Sequence, residues 1–407
     1  MERIFILLFS LICSASSYAR AKYDCVYTSV PNLKVVNIER TSDETVIDFT
    51  YAAKSGDQIQ LDTTTFICDK SGNHFKVLSS EMLHFKSKKA GENGEVRFRM
   101  HFGPLPNSPE WIDIFGILHK KKATIYGVHS PQKNIRIPIP ETFSAVNEIG
   151  VNDYQPGSAM IIGHLAGKKI EKGTRIELQH FTNIENDSQK ASWINDSTFK
   201  FRLYLQHALW DNILIGNQYL QFFVRPNDTL NIFIKNYNVN GETIRYSSAS
   251  GQYCLDSLLC HGDYIEGSTH LDKLPSQEFE RELNKLREQS TQLCQYIAWK
   301  YHFSPLEYQF LINQQRLQLA YRYMFYYGSS DIQFTSQSPF LHDIPWHDPS
   351  LLFIRGWNDN FVALLCLKML NAYRYQNDIS DDDLNEVFPN ISDVIKSELK
   401  RVLFNRN

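Results

Sequence analysis

Cysteine is scarce and scattered: seven residues in 407, none in a C-x-x-C pair, the shortest interval being Cys254 to Cys260. That spacing excludes a thioredoxin-type redox motif within these residues. An excess of one charge is also missing. Forty-two Lys and Arg stand against 45 Asp and Glu, a formal net charge of −3. A chain built mainly to grip nucleic acid normally carries a basic excess, so that class is disfavoured. No apolar run approaches the roughly 20 residues of a membrane-spanning helix. Neither H-E-x-x-H nor G-x-S-x-G occurs, which removes the zincin helix and the nucleophile elbow of α/β-hydrolases.

What is present is enough to fold. The chain is 43% hydrophobic and 21% charged, which excludes wholesale disorder. At roughly 100–200 residues per domain, two or three domains are expected. The N-terminus opens with Arg3 and the apolar run Ile4 to Cys13, followed by small residues around Ala19 and Ala21. This pattern predicts a secretory signal peptide over residues 1–21, cleaved after Ala19 or Ala21, and hence a periplasmic or secreted chain. Its removal takes Cys13 away and leaves six cysteines. Cys25–Cys68 and Cys254–Cys260 are conceivable bridges, whereas Cys294 and Cys366 fall among helical apolar positions and read as buried thiols.

From Val35 to about Ile139 the pattern is that of short strands. Val35–Glu39, Thr45–Tyr51, Gln58–Leu61 and Thr65–Cys68 are separated by polar turns at Thr41–Glu44 and Asp69–Gly72, and Glu95–Phe102 alternates without a slip. Period two with β-branched and aromatic enrichment predicts an antiparallel β-sandwich over 22–145. Gly103–Pro109 carries three prolines and breaks the ladder. A second β-sandwich is expected over 146–266, with strands at Ala159–Leu165, Arg175–Leu178, Thr198–Leu203, Leu220–Val224 and Leu230–Ile234. Arg225–Thr229 reads as a tight hairpin turn, because Pro226 presets one dihedral and Asn227 tolerates the next.

After Gly267 the period changes to that of helices, giving a helical domain over 267–407. Phe279, Leu283, Leu286, Leu293 and Ile297 share one face. Ser304-Pro305-Leu306-Glu307 forms a capping box that opens a helix to about Tyr327. Asp348-Pro349 starts another that runs past Leu365 towards Tyr375. Ser380 caps a short helix, and Ile391–Phe404 reads as a last amphipathic one. The fold class is therefore α+β and multidomain: two antiparallel β-sandwiches followed by helices.

Chemistry-bearing clusters are few. Gly163–Lys169 faintly resembles a phosphate loop but is one residue short between its glycines. It reads as a turn. His342–Asp348 holds two imidazoles and two carboxylates, yet Asp348 is claimed as a helix cap and two prolines stiffen the segment. His261-Gly262-Asp263 is a turn, and His119–Lys122 is a solvated hairpin tip. Asp381–Asp383 are first-turn carboxylates favoured by the helix dipole. Trp111, Trp193 and Trp210 are expected inside the β domains, and Tyr321, Tyr323, Tyr326 and Tyr327 on a helix face with hydroxyls at its rim. No catalytic, cofactor-binding or metal-binding residue is assigned.

The β-domain phrases carry a resemblance. Ala191–Phe201 is similar to an asp–gly–thr–phe–x–phe strand pair, and Phe222–Leu230 to a valine–x–proline–gly–asp–thr turn with Asn227 in place of glycine. Ser250–Leu258, Asp43–Phe49 and Phe102–Pro106 fit the same set. Together they resemble the non-catalytic N-terminal region of TlpA-type, thioredoxin-like disulfide reductases of the Gram-negative envelope. The C-x-x-C domain of that family has no counterpart up to Asn407. The resemblance implies an accessory module of the envelope that binds another envelope protein or forms a homodimer; no cofactor is expected, and the charge balance and short apolar runs predict no nucleic-acid partner and no membrane span. Two alternatives stand beside it: a component of a thiol–disulfide oxidoreductase completed by a separate or downstream thioredoxin domain, and a carbohydrate-binding β-sandwich, which requires a row of exposed aromatics on one sheet face.

Overall fold

The computed structural model describes residues 23–404, apart from 31, 62–63, 83–86, 106–108, 119–120, 133–150, 167–174, 180–187, 217, 236–243, 249–270, 304, 329–331, 333, 355–356, 358 and 371–378. The expected leader, His261–Asp263 and the Cys254–Cys260 pair lie outside the described residues. The chain divides into two compact units, 1–137 and 138–407. The second β region and the helices thus fall in one unit.

The first unit contains β1 (Tyr27–Thr28), β2 (Leu33–Arg40), β3 (Thr45–Ala52), β4 (Gln58–Ile59), β5 (Phe66–Asp69), β6 (His74–Ser80), β7 (Lys88–Lys89), β8 (Glu95–Phe102), β9 (Ile112–Leu118) and β10 (Lys121–Val128). Eight of them form a single antiparallel sheet in the order β1-β10-β9-β5-β6-β8-β3-β2, with β4 and β7 paired separately. The alternation of β8 is obeyed residue by residue: Val96, Phe98, Met100 and Phe102 are buried, and the residues between them are half-buried or exposed. Strands from both ends of the sheet feed one core. Val35 and Phe49 share it with Ile114 and Ile125, so the sheet curls nearly into a barrel. Neither Cys25 nor Cys68 is in a disulfide. The bridge conceived between them is absent: Cys68 is an inward residue of β5, and its thiol donates to the carbonyl of Asp69.

The second unit begins its regular structure with β11 (Gly157–Ala166), β12 (Ile176–Gln179), β13 (Ser188–Lys190), β14 (Ser192–Asn195), β15 (Thr198–Leu205), β16 (Leu209–Ile215), β17 (Gln218–Val224), β18 (Thr229–Lys235) and β19 (Ile244–Ser248). They make a five-stranded sheet, β14-β15-β11-β18-β19, and a four-stranded one, β13-β12-β16-β17.

The turn at Arg225–Thr229 departs from expectation. It has the local geometry of a tight turn, with the Asp228 amide donating to the Arg225 carbonyl and Asn227 at φ 62°. But β17 and β18 do not pair with each other. β17 pairs with β16, while β18 lies parallel to β11. The turn is therefore a crossing between sheets rather than a hairpin, and the five-stranded sheet is mixed rather than antiparallel. The Asn227 amide donates to the Ser158 carbonyl, which fastens the crossing to the start of β11.

Among the described residues five helices follow: α1 (Ser276–Lys300), α2 (Pro305–Tyr326), α3 (Asp359–Met369), α4 (Asp381–Val387) and α5 (Asp393–Phe404). Pro305 takes the first position of α2, and Ser380 caps α4 with a reciprocal bond to Asp383. Asp348 accepts from the Ser350 amide as expected, but the helix it opens is only a 3-10 turn over Pro349–Phe353. Ile354 is extended at φ −82°, ψ 130°, so the long helix expected from Asp348 is broken before α3. Phe310 of α2 and Phe353 of the 3-10 turn receive Phe223 of β17 at 6.4 and 6.3 Å, and Phe310 also stacks on Trp210 of β16. All seven residues of β16 are consequently buried. Across the sheets, the Tyr246 hydroxyl on β19 donates to the Gln221 carbonyl on β17.

Candidate functional site

The five-stranded sheet presents one face to solvent. Along β11, Ala159, Ile161 and Gly163 point inward, leaving Ser158, Met160, Ile162 and His164 on the other side. Register then brings cross-strand neighbours to the same face. Arg202 and Lys200 of β15 oppose Met160 and Ile162, and Phe233 of β18 lies beside His164. His164 stacks on Phe233 with ring centroids 4.7 Å apart and planes 11° from parallel. Its Nε2–H donates to Asn231 Oδ1 at 3.1 Å. Tyr204 is 69% exposed and Phe233 44%, a large aromatic area for positions that alternation reserves for polar side chains.

The charged residues that the three central strands contribute to this face are basic. Lys200 and Arg202 lie on it, and no carboxylate occupies an outward strand position of β11, β15 or β18 among the described residues. Sequence reasoning missed Tyr204, Phe233 and His164. The signal was available: apolar residues in the polar phase of strands whose other phase already fills the core.

Residues weighed from the sequence fall elsewhere. Gly163 is mid-strand, directly beneath the Phe199 ring, while 167–169 lie outside the described residues. Lys121 pairs with Leu118 across the β9–β10 hairpin, whose tip at His119 and Lys120 is not described. His342 Nε2 sits 3.2 Å from Asp343 Oδ1, and Asp348 is occupied as a cap. No group of three or more His, Cys, Asp or Glu converges as metal ligands among the described residues. Asp381–Asp383 occupy the first turn of α4, and Asp381 also pairs with Lys400 at 2.7 Å. Trp111 and Trp210 are buried as expected. Trp193 is 46% exposed, because β14 is an edge strand and only one side of its indole meets Phe199. The tyrosines follow expectation: Tyr323 is buried, the Tyr326 hydroxyl donates to the Leu274 carbonyl, and the Tyr327 hydroxyl to Glu280.

Two of the described thiols are held in the protonated form. Burial raises the Cys294 thiol far above its ordinary range. Cys25 is pushed up to about 11 by desolvation of its sulfur and by the neighbouring Asp24 carboxylate. Reactive cysteines need the opposite, a thiolate stabilised by a cation or a helix N-terminus. No described helix is long and apolar enough to cross a membrane.

No family model and no curated protein matches the chain. Among solved structures it is similar to the Bacillus anthracis TIE protein, at 13% identity over 58% of this chain and 44% of that one, with a TM-score of 0.15. It is also similar to the pullulanase of Anoxybacillus sp. LM18-11, solved with maltotriose, at 10% identity over 46% and 25% of the two chains, TM-score 0.12. A third likeness is to a type I pullulanase of Bacillus subtilis, at 6% identity over 47% and 24%, TM-score 0.13. The chain spans under half the length of the first and about a quarter of the pullulanases. At these TM-scores the likenesses carry no argument about fold or function.

Proposed function

We propose that this chain is an exported, non-enzymatic recognition module, built from a curled β domain, a β-sandwich and a helical region, that docks on the acidic surface of another envelope protein. The observation that carries this reading is the open face of the five-stranded sheet, where Tyr204, Met160, Ile162, His164 and Phe233 lie among the basic side chains Lys200 and Arg202. Aromatic and apolar groups supply contact area, and the two cations select the sign of the partner.

Charge also favours a different protein over a second copy of the chain. In a two-fold homodimer this patch would meet itself, setting Lys200 and Arg202 against their own copies, a juxtaposition that costs rather than gains. Geometry favours a protein partner over a sugar. Tyr204 pairs with Ser158, and Phe233 with His164, six residues further along β11. At about 3.3 Å per residue the two rings are about 20 Å apart along the strand, too far to sandwich one sugar ring. The raised thiols support a binding role over disulfide exchange.

The test is photocrosslinking from position 233 of the full chain in envelope extract. A discrete adduct to a protein of net negative charge, lost on Lys200→Glu/Arg202→Glu and weakened by salt, is expected. No adduct, one indifferent to the charge reversal, or one formed only with a second copy of the chain would refute the proposal. Glycan binding abolished by Tyr204→Ala would replace it with the carbohydrate reading.

A further inference from the structure

A second site lies away from the sheet face, in the helical region, and stands or falls independently of the reading above. A cavity of about 480 Å³ opens between α1 and α2, with Phe340 and Asp343 of the following loop on a third side. Small organic ligands occupy cavities of this size. Helical spacing builds its walls. Arg287, Thr291 and Gln295 recur every four residues on α1, and Tyr308, Ile312, Arg316 and Leu319 form the facing stripe of α2. The base is clamped by Gln315. Its Nε2 donates to the Arg287 carbonyl at 3.0 Å, to Thr291 Oγ1 at 3.2 Å and to Ser290 Oγ.

The two guanidinium groups are in different situations. Arg287 is already engaged, 3.3 Å from Asp343 and 5.4 Å above the Phe340 ring. Arg316 is not. It donates once, to Asn313 Oδ1 on its own helix at 3.0 Å, and no carboxylate pairs with it within 4.0 Å among the described residues. A guanidinium carries five N–H donors in a planar fork, so most of this fork is unspent where it lines the cavity. Burial moreover pulls its pKa below the ordinary guanidinium value, with Asp343 offsetting only part of the loss, which is the signature of a desolvated cation short of a counter-charge. The remaining wall is mixed: Ile312, Leu319 and Phe340 are apolar, and Tyr308 offers a hydroxyl.

We propose that this cavity binds a small organic carboxylate, held by the Arg316 fork with its apolar portion against Ile312, Leu319 and Phe340. One unpaired cation matches one negative charge. A phosphate dianion would bring a second charge towards Asp343 and Glu288, which line the same cavity. Planar bidentate pairing is what guanidinium offers a carboxylate and an ammonium does not.

Calorimetric titration of the full chain with 4-hydroxyphenylacetate, gluconate and inorganic phosphate tests the proposal, with 4-hydroxyphenylacetamide as the uncharged control. At least one of the two carboxylates is expected to bind in the micromolar-to-millimolar range. Arg316→Gln should weaken that binding by roughly tenfold or more, and Arg316→Lys should recover only part of it. Where 4-hydroxyphenylacetate is the ligand, its amide should likewise bind roughly tenfold more weakly. Glu288→Gln removes a like charge at an exposed position and should leave binding equal or tighter, which keeps the test open should Arg316→Gln fail to fold. Equal binding of the amide, unchanged affinity in folded Arg316→Gln, weaker binding in Glu288→Gln, or phosphate binding with neither carboxylate would each overturn it.

Discussion

Gly163 is the position where the addition of one carbon has the most legible consequence. It sits mid-way along β11, opposite Phe199 of β15 and beside Ile232 of β18. A Cβ built there would lie 2.0 Å from Phe199 Cζ and 2.3 and 2.5 Å from the two Cε atoms. Carbon–carbon contact begins at about 3.5 Å, so the ring must retreat by about 1.5 Å. It has nowhere to go. Phe199 is fully buried, edge-on to Phe201 at 5.8 Å and to Trp193 at 6.1 Å. Close-packed interiors yield little to such a demand. Gly163→Ala should therefore cost about 1–3 kcal/mol as overpacking, and Gly163→Val should approach the roughly 3–5 kcal/mol of losing the buried phenyl altogether.

Denaturant unfolding followed by tryptophan emission reads both the cost and its cause, because Trp193 rests against the ring that must move. Phe199→Leu in the Gly163→Ala background should recover part of the loss, giving a coupling energy of about 1 kcal/mol or more in a double-mutant cycle. A Gly163→Ala protein within about 0.5 kcal/mol of the parent, with its emission unshifted, would refute the reasoning. So would strictly additive behaviour of the pair.

Two further predictions concern titration. The Asp48 carboxyl is held below its ordinary 3.8, first by hydrogen bonds from the Arg99 guanidinium at 2.7 Å and then by its charge and by Asn37. A depressed carboxylate contributes stability that is present above the ordinary value and lost as pH falls through the lowered one. Arg99→Ala should thus move the Asp48 midpoint, read by carboxyl NMR, up towards 3.8, and should destabilise at neutral pH while matching the parent in strong acid; an unmoved midpoint refutes the pairing. Cys25, at about 11, should alkylate at neutral pH about a hundredfold more slowly than a thiol of ordinary pKa 9.0, with the rate climbing tenfold per pH unit towards 11. Peptide-resolved labelling with iodoacetamide checks it. Asp24→Asn should speed the reaction, and rapid neutral labelling at Cys25 would overturn the electrostatic argument and revive disulfide exchange.

The legibility of the sequence follows the range of each interaction. Glu95–Phe102 is read without error because alternation over eight residues is a local pattern and the strand obeys it from end to end. Pro305 and the Ser380–Asp383 pair mark helix starts for the same reason: the groups that satisfy the first turn lie within four residues of it. The sequence also places Cys294 and Cys366 among apolar neighbours, where the structure buries them. The helix expected beyond Asp348 fails because apolar periodicity continues through a segment that the core interrupts: Phe353 turns in against Phe223, and the chain extends at Ile354. Trp193 is misplaced because residue type indicates burial in general, while edge position is settled by which strands pair. The two proposed binding surfaces are less legible still. The cavity needs Arg287 and Arg316, 29 residues apart on two helices, to face each other over a third segment carrying Phe340 and Asp343, and no local pattern encodes that meeting.

The crossing at Asn227 ties these failures to the proposed role. Local chemistry there is satisfied equally by a hairpin or by a change of sheet: Pro226 and the left-handed Asn227 specify the bend and say nothing about the strand that follows. A hairpin would have set β18 against β17. The observed crossing instead lays β18 parallel to β11 and leaves β11 central, with β15 on its other flank. Only in that order do the outward residues of β15, β11 and β18 become neighbours, so that Lys200, Ile162 and Asn231 form one row and Thr198, His164 and Phe233 the next. The proposed docking face is thus a product of topology, assembled from side chains that are unremarkable within their own strands. Its stacked His164–Phe233 pair bridges the one parallel junction in the sheet, and a return to hairpin pairing would separate those two rings.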